Sequence, residues 1–330
     1  MNAPAVGVAV IGSGFGARVV APAYAATDGV EVVAAVSARD EHAVAAAIAD
    51  PRVALVSVHS PPFLHDRHVR MALDSGRSVL CDKPFTDSLE TSRRLAADAA
   101  GAPGVHLLNF EFRFDAARVR TRELIAAGAL GRVERVVWTH LSAGTRHPLR
   151  PYGWLFDGGR GGGWIGAWAS HAVDTLRFAV GEVDAVVSAT RLLGVAHRPD
   201  ADGVVHECTA EDGLVAVLTL VGGAIVTLDS SFAAPASVPP RITVVGSDGV
   251  LENVADERLV IRAPHGRQDV AIGAVAADHH DAPMRAMTQT VRDAVRTGVV
   301  APGLATFADG LACDAVLAQL RAAPLVELGA

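Results

Sequence analysis

The chain has 330 residues, half of them hydrophobic, which is enough for two domains with ordinary buried cores. Its net charge is -7 and its arginines are scattered, so a nucleic-acid or anionic-membrane partner is excluded. Cys81, Cys208 and Cys313 lack CxxC spacing and cannot all pair, which favours a reducing compartment. The N-terminus enters a strand pattern without a basic leader, and no apolar run reaches membrane-spanning length. We therefore expect a cytoplasmic protein.

The first predicted element is a strand, VGVAVIG, whose continuous apolar character is typical of a parallel strand covered on both faces. It leads into GSGFGA, and we interpret Gly12, Gly14, Phe15 and Gly16 as a dinucleotide-binding turn of the GxGxxG type. In this interpretation the three glycines allow the tight turn, the approach of a pyrophosphate and the close packing of the next helix. The amino-terminal dipole of that helix would attract the phosphate.

The second predicted strand, VEVVAAV, ends where the adenosine ribose of a bound dinucleotide would lie. NAD enzymes commonly have an acidic residue there, but this chain has Ser37 and Arg39, which suit a 2′-phosphate. NADP is therefore favoured over NAD. In the alternative, Arg39 merely begins a solvated helix that Asp40 caps.

Two further predicted strands, ALVSV and SVLC, deliver their following residues to the carboxyl edge of the sheet, where ligands bind in open α/β folds. The first is followed by Ser60 and Pro61, and the second by Asp82, Lys83 and Pro84, and we expect these five residues to bind the cofactor. A fifth strand, within VHLLNFEFRF, sends Arg113 toward the same edge.

Lys83 is the only lysine of the chain, although lysines and arginines together number 29. Arginine stays charged, whereas the pKa of a lysine falls readily under burial or beside another cation. A site that needs a tunable ammonium could not accept arginine. In the alternative, Lys83 is a chance survivor on the surface.

In order, the segments VIGSGFG, SPP, CDKP, NFEFRFDAARVRTRELIAAGALGRV and GGGWIGAWASHAVDTLRFAVGEV resemble the Gfo/Idh/MocA oxidoreductases over nearly the whole chain. The resemblance implies an α/β protein with an N-terminal, doubly wound parallel Rossmann sheet and a C-terminal α/β domain with a large, mostly antiparallel sheet. We predict the domains at 1–118 and 119–330, with a helix near 304–322 that packs back toward the domain junction. The resemblance also places Lys83 beside the nicotinamide and the reacting oxygen, with a Lys83–Pro84 peptide that is often cis. Asp82 departs from the family's glutamate by one methylene.

The same resemblance aligns His171 with a proton-transferring histidine and Asp174 with an acid of its helix. Where the family has a first aspartate, this chain has Ala167, which cannot contact substrate hydroxyls or raise the basicity of the imidazole. His171 then works alone, or Asp174 orients it from the next turn. In the alternative, His171 is a core residue without a catalytic role.

Aromatic residues are 5% of the chain, yet several precede His171 closely, namely Tyr152, Trp154, Phe156, Trp164 and Trp168. We expect Trp154, Trp164 and Trp168, together with Arg113, His171 and Asp174, to bind substrate. The tryptophans favour a substrate that is less hydroxylated than inositol. A hydrophobic plug or an oligomer contact is the alternative.

The rest of the sequence predicts scaffold. Between the second and third strands there is room for one helix, and Gly222-Gly223 suits a two-residue hairpin. The large sheet implies homodimers or homotetramers formed through it. The histidines of DHHDAP (278–283) are expected to be solvated, so no metal is predicted.

Three functions remain open. The first is an NAD(P)-dependent oxidoreductase for a hydroxyl or carbonyl of a sugar, polyol or cyclic diol, with Lys83 polarising the oxygen and His171 relaying its proton. The second is a catalytically inert NAD(P)-binding regulatory protein, which the loss of an acid at Ala167 would suit. The third is a glycosidase of the same family that uses NAD transiently.

Overall fold

A computed structural model describes residues 4–272 and 279–329. Its internal contacts divide the chain into two compact units. One unit consists of the described residues within Met1–Phe114 and Ala276–Asp314, and the other of those within Asp115–Val275 and Ala315–Ala330.

The strands in chain order are β1 (Val6–Ile11), β2 (Val30–Val36), β3 (Val53–Val58), β4 (Ser78–Asp82), β5 (His106–Asn109), β6 (Val133–Leu141), β7 (Val183–Leu193), β8 (His197–Pro199), β9 (Val205–Glu207), β10 (Gly213–Leu220), β11 (Ile225–Ser231), β12 (Arg241–Gly246), β13 (Val250–Val254), β14 (Arg258–Ala263), β15 (Gly266–Val270), β16 (Ala305–Thr306) and β17 (Leu325–Glu327). The α-helices are α1 (Ala21–Ala25), α2 (Glu41–Ala49), α3 (His65–Asp74), α4 (Leu89–Gly101), α5 (Ala116–Ala126), α6 (Ser170–Ala179), α7 (Asp281–Thr297) and α8 (Phe307–Arg321). Short 3-10 or π-helical turns occupy Gly16–Val20, Pro62–Leu64, Glu111–Phe114, Trp154–Phe156, Gly158–Arg160 and Ile165–Ala169.

The first unit contains a sheet of order β16-β5-β4-β3-β1-β2. Strands β1 to β5 pair in parallel, and β16 joins β5 antiparallel. Every residue of β1 is buried, as a parallel strand covered on both faces requires. The core joins strand residues such as Val8 to Met284 and Val291 of α7. The Rossmann prediction is confirmed, and α2 is the single helix between β2 and β3, as the sequence predicts.

The second unit contains a larger sheet of order β15-β14-β13-β12-β6-β11-β10-β7-β17. Its neighbouring strands are antiparallel except for the β11–β6 and β17–β7 pairs, which confirms the mostly antiparallel prediction. From Leu214 to Leu220 along β10 the even-numbered residues are buried, and the odd-numbered residues lie on the more open face. One side of this sheet therefore packs into the core of the unit.

The β10–β11 connection corrects the two-residue hairpin prediction. Thr219 pairs with Ile225, and the amide of Leu220 donates to the carbonyl of Ala224 at 2.9 Å, so the loop is three residues long. Gly223 has a φ of 86°, the left-handed conformation that a loop of this length places at its last residue.

All three cysteines, Cys81, Cys208 and Cys313, lie in the described part of the chain and are buried thiols. Within 4–272 and 279–329, no helix combines the length and apolarity needed to span a membrane.

Candidate functional site

The glycine-rich turn lies at the carboxyl end of β1. Gly12 has a φ of 138°, and a Cβ there would lie 2.4 Å from the carbonyl oxygen of His59, so only glycine fits. Gly14 is exposed, and a Cβ added to it would meet nothing within 4 Å. Its backbone is therefore open to a ligand, as the sequence analysis requires of a pyrophosphate-binding glycine.

The GxGxxG assignment of Gly16 needs a correction. Counted from Gly12 and Gly14, the last position of that pattern falls on Ala17, where the fingerprint also accepts alanine. The amide of Ala17 donates to the carbonyl of Gly12 at 2.9 Å and closes the turn. Gly16 has a different task, because a Cβ there would lie 2.8 Å from the Cβ of His59. It permits close packing against the residue that follows β3.

At the end of β2, Arg39 is exposed and its guanidinium makes no ion pair within the described residues. Its backbone amide donates to Ser37 Oγ at 3.3 Å. Asp40 accepts a hydrogen bond from the amide of Ala43 at 2.9 Å and thereby caps α2. The carboxylate of Asp40 is thus engaged in its own helix, while the guanidinium of Arg39 is available to an anion.

Asp82, the last residue of β4, meets His59, which follows β3, beside this turn. Asp82 Oδ1 accepts hydrogen bonds from the backbone amide of Lys83 at 3.0 Å and from Asn109 Nδ2 at 3.1 Å. Asp82 Oδ2 lies 3.3 Å from Nδ1 of His59. Burial raises the pKa of Asp82, but the hydrogen bond and charge of His59, aided by the charge of Lys83, outweigh it, and the net pKa is lowered. Asp82 is therefore an ionised carboxylate that holds the backbone amide of Lys83 in place.

The peptide between Lys83 and Pro84 is cis, as the family resemblance implies. His65 holds the chain on the far side of this peptide, because its two ring nitrogens lie 3.0 Å from the carbonyl oxygen of Phe85 and 2.7 Å from that of Ser60. The segments that carry Ser60-Pro61 and Lys83-Pro84 are thus joined by one buried ring. Burial lowers the pKa of His65 despite these contacts.

Ser60 is itself buried, and its Oγ lies 3.0 Å from Nδ1 of His68. Arg113, predicted to bind substrate, is also buried, and its Nη2 lies 3.1 Å from Asp309 Oδ1. The structure therefore gives Arg113 an ion pair inside the first unit, and its substrate role stays a prediction.

The DHHDAP segment departs from the expectation of solvated histidines. Asp278 lies outside the described residues, but Nδ1 of His280 lies 3.0 Å from Oε1 of the buried Glu111. The ring of His280 packs edge-on against Phe15 of the glycine-rich turn at 5.4 Å and stacks on Phe112 at 5.3 Å. His280 therefore borders the predicted cofactor site.

In the second unit, His171 and Asp174 lie on α6 and are both buried, with 7% and 2% of their surfaces exposed. Ala167 precedes them and is the one half-buried residue in the otherwise buried stretch 161–176. Glu211 Oε1 accepts the amide of Ile165 at 3.0 Å, where the helical segment begins. Burial raises the pKa of Glu211. The deep burial of His171 is compatible with both alternatives, a shielded proton-transfer group and a core histidine without a catalytic role.

The tryptophans form a stack within the second unit. Trp164 and Trp168 are 8% and 6% exposed, and their rings are nearly parallel with centroids 5.9 Å apart. Phe232 stacks on Trp164 at 4.3 Å, and His140 contacts both indoles edge-on. Trp164 Nε1 donates to Ser230 Oγ at 2.6 Å. Trp154 lies apart in its own short turn and is half-buried.

Sequence reasoning missed His59, Asn109, His65 and His280 as neighbours of this site. For His59 and Asn109 a signal existed, since His59 follows β3 and Asn109 ends β5, on either side of β4. Carboxyl ends of adjacent parallel strands meet at one edge. His280 had no such signal, because it is far from the turn in sequence.

Two family models match the chain. Residues 6–110 match an oxidoreductase family with an NAD-binding Rossmann fold, and residues 119–252 match the GFO/IDH/MocA C-terminal domain. The chain belongs to the Gfo/Idh/MocA oxidoreductase family. This confirms the resemblance stated from the sequence motifs.

Several curated proteins named as oxidoreductases or dehydrogenases are similar to this chain. The chain is 30% identical to an uncharacterized oxidoreductase of Synechocystis sp. over 66% of this chain and 63% of that protein. It is 30% identical to levoglucosan dehydrogenase of Pseudarthrobacter phenanthrenivorans over 42% of this chain and 36% of that protein. It is 28% identical to inositol 2-dehydrogenase 2 of Mycolicibacterium vanbaalenii over 82% of this chain and 74% of that protein. The first two matches thus span less than two thirds of those relatives.

Solved structures of the same fold superpose on nearly the whole chain. Levoglucosan dehydrogenase in complex with NADH and L-sorbose has a TM-score of 0.83 at 20% identity and covers 96% of this chain and 97% of that one. The super-repressor mutant of Gal80p from Saccharomyces cerevisiae has a TM-score of 0.81 at 15% identity. It covers 97% of this chain and 95% of that one. At such identities these likenesses establish the fold alone.

Proposed function

We propose that the protein is an NADP(H)-dependent oxidoreductase that moves a hydride between the nicotinamide and a hydroxyl or carbonyl carbon of a sugar, polyol or cyclic diol. The observation that carries this proposal is the position of the only lysine. Lys83 follows β4, its backbone amide is held by Asp82, and Asp82 contacts His59 beneath the glycine-rich turn. The chain's only lysine thus lies in the same unit as the open glycine-rich turn, after a neighbouring strand of the same sheet.

The described residues fit a nicotinamide dinucleotide. Gly14 leaves open space where a pyrophosphate approaches the backbone, and Phe15 lies beside it. Ser37 and Arg39 supply a hydroxyl and a guanidinium for a 2′-phosphate, while Asp40 is used as a helix cap. These features support NADP over NAD. The bound cofactor would supply the hydride chemistry.

In this proposal, side chains of the protein bind the substrate, polarise its reacting oxygen and transfer its proton. The ammonium of Lys83 donates a hydrogen bond to the reacting oxygen, and a ring nitrogen of His171 holds the proton that leaves it. Asp82, Ser60, Pro61 and Pro84 fix the segments that border the cofactor. In this proposal Asp174 orients His171 from the next helical turn, and the half-buried Ala167 supplies no acidic group.

The substrate class follows the names of the relatives, which include levoglucosan dehydrogenase, 1,5-anhydro-D-fructose reductase of Ensifer adhaerens and inositol 2-dehydrogenase 2. Each name denotes a carbohydrate-like ring. In this proposal the half-buried Trp154 offers an indole face suited to the C–H surface of such a ring. Trp164 and Trp168 are buried and stacked, with Trp164 between Trp168 and Phe232, so they present little open face.

The test is turnover with and without the amine. Lys83→Ala should abolish nicotinamide reduction across a panel of sugars and polyols while cofactor affinity, measured by fluorescence, stays unchanged. His171→Asn should lower turnover with little effect on cofactor affinity. Arg120→Ala, which removes an exposed residue of α5, serves as the control. Unchanged turnover in Lys83→Ala contradicts the proposal.

A regulatory role is the second candidate, favoured by Ala167 at the position where the family has an acid. Tight NADP binding without turnover of any alcohol or carbonyl in the panel would support it. Net glycoside hydrolysis without cofactor reduction would instead support the NAD-dependent glycosidase.

We also propose a cytoplasmic homodimer or homotetramer. The buried thiols favour a reducing compartment. The open face of the large sheet carries apolar residues from neighbouring strands, including Val137, Val217 and Val245, which are only half-buried. A second copy of this face would cover them.

A further inference from the structure

Two buried side chains and the half-buried carboxylate of Asp82 form a chain of contacts from the centre of the first unit to the segment that carries Lys83. Ser57 Oγ lies 2.7 Å from Nε2 of His59, and Nδ1 of His59 lies 3.3 Å from Oδ2 of Asp82. Their order, hydroxyl to imidazole to carboxylate, matches that of a Ser-His-Asp hydrolytic triad.

Nucleophilic catalysis by this triad is excluded by burial. Ser57 lies within β3, at the centre of the parallel sheet, and has no exposed surface. The side chain of His59 is likewise fully enclosed. A substrate carbonyl could not reach Ser57 Oγ, so the chain of hydrogen bonds must act within the fold.

The direction of the hydrogen bonds follows from the acceptor at one end. Asp82 is ionised and can only accept, so Nδ1 of His59 carries a proton and donates to it. A neutral ring then accepts from the hydroxyl of Ser57 at Nε2, and a protonated ring donates to that hydroxyl, while Nδ1 donates to Asp82 in both cases. This arrangement satisfies each group and fixes both the tautomer and the orientation of His59.

Contacts with the end of β1 and with the glycine-rich turn also restrain His59. Its amide donates to the carbonyl of Ile11 at 2.7 Å, and its Cβ would contact any side chain at Gly16. Because Oδ2 of Asp82 contacts His59, its Oδ1 accepts from the backbone amide of Lys83 and from the side-chain amide of Asn109. The orientation of Asp82 thus determines where the peptide of Lys83 lies.

We infer that His59 is a positioning residue, which through Asp82 fixes the segment that carries Lys83. The consequence for turnover rests on the proposed function, but the structural effect on Lys83 does not. Because Lys83 is the only lysine, protein labelled with [ε-13C]lysine gives one lysine resonance that is assigned without ambiguity. Its chemical shift and line width report the surroundings of the amine without any substrate.

Two amide replacements separate positioning from packing. In His59→Asn, the side-chain nitrogen takes the place of Nδ1 and retains a donor to Asp82, whereas in His59→Gln it takes the place of Nε2 and loses that donor. Ser57→Ala controls for loss of the buried hydroxyl. We expect His59→Asn and Ser57→Ala to keep the lysine resonance near its parental position and His59→Gln to shift or broaden it.

With an active substrate, His59→Gln should also lower kcat on the order of 10- to 100-fold at unchanged cofactor affinity, while His59→Asn retains most of kcat. A parental resonance in His59→Gln, or equal changes in both variants, overturns the inference. If no substrate is found, the resonance alone decides, so failure of the proposed function is seen separately. If His59→Gln does not fold, 15N spectra of the parent decide, and an unprotonated Nδ1 of His59 overturns it.

Discussion

A Cβ at Gly16 would lie 2.8 Å from the Cβ of His59, whereas a Cβ at Gly14, two residues earlier, would meet nothing within 4 Å. The glycine-rich turn therefore contains two glycines required by packing within the protein, Gly12 and Gly16, and one whose surroundings are open, Gly14. The same small substitution at the two positions should have different consequences.

We predict that Gly16→Ala lowers the free energy of unfolding by about 1–3 kcal/mol, because the added methyl group would overlap the Cβ of His59 and force the turn away from the end of β3. Gly14→Ala should leave unfolding nearly unchanged but weaken cofactor binding on the order of tenfold, since its methyl group occupies the space for the pyrophosphate. Chemical denaturation and fluorescence titration measure the two quantities. Equal stability of the two variants would contradict this division of roles.

Arg39 should decide the preference between the two nicotinamide cofactors. Its guanidinium is exposed and makes no ion pair among the described residues, so a 2′-phosphate gains a charge-assisted partner at little cost. Arg39→Ala should weaken NADP binding about tenfold and leave NAD binding almost unchanged. Arg67→Ala, which removes the exposed partner of Glu41, is the control. Equal losses for both cofactors would show that Arg39 does not contact the 2′-phosphate.

Asp115 should make stability depend on pH. It caps α5 by accepting the amides of Ala117 and Arg118, but burial and the nearby charge of Asp256 raise its pKa to about 6. An acid whose pKa is raised in the folded state stabilises the fold below its unfolded pKa, and this contribution is lost as pH rises through the folded pKa. The parent should therefore lose stability between about pH 4 and pH 6.

Asp115→Asn keeps a helix-capping side chain and removes the charge. We expect it to match the parent near pH 4 and to exceed it in unfolding free energy by about 1–2 kcal/mol at pH 7. Asp40→Asn makes the same change at the exposed cap of α2 and should show no such gain. Parallel pH profiles of the parent and Asp115→Asn would refute the prediction.

The open face of the large sheet should be an interface between copies of the chain. Val217→Arg places a charge among half-buried apolar residues of β10 and its neighbours, and should dissociate the oligomer into monomers. Val221→Arg makes the same change in the β10–β11 loop, where Val221 is 71% exposed, and should leave the oligomer intact. Light scattering after size exclusion gives the mass. A monomeric parent would refute the interface.

How much of this site was predictable depends on how near in sequence its parts lie. Gly12 and Gly14 were predicted from a local pattern, and the structure has an open turn there. The spacing of that pattern puts its last position at Ala17 and not at Gly16, which the sequence already shows. The packing of Gly16 was not predictable, because its neighbour His59 lies more than forty residues later. The burial of Arg113 against Asp309 was equally hidden from the sequence.

The sequence alone determined the order of strands and helices in the first unit, the family and the exceptional status of Lys83, because periodicity, glycine spacing and residue choice are local properties of the chain. The tertiary structure decided which side chains Asp82, Arg113 and His280 contact. The partners of Asp82 come from the ends of other strands and the partner of Arg113 comes from α8, and hydrogen bonds between residues distant in sequence leave no pattern in the chain itself.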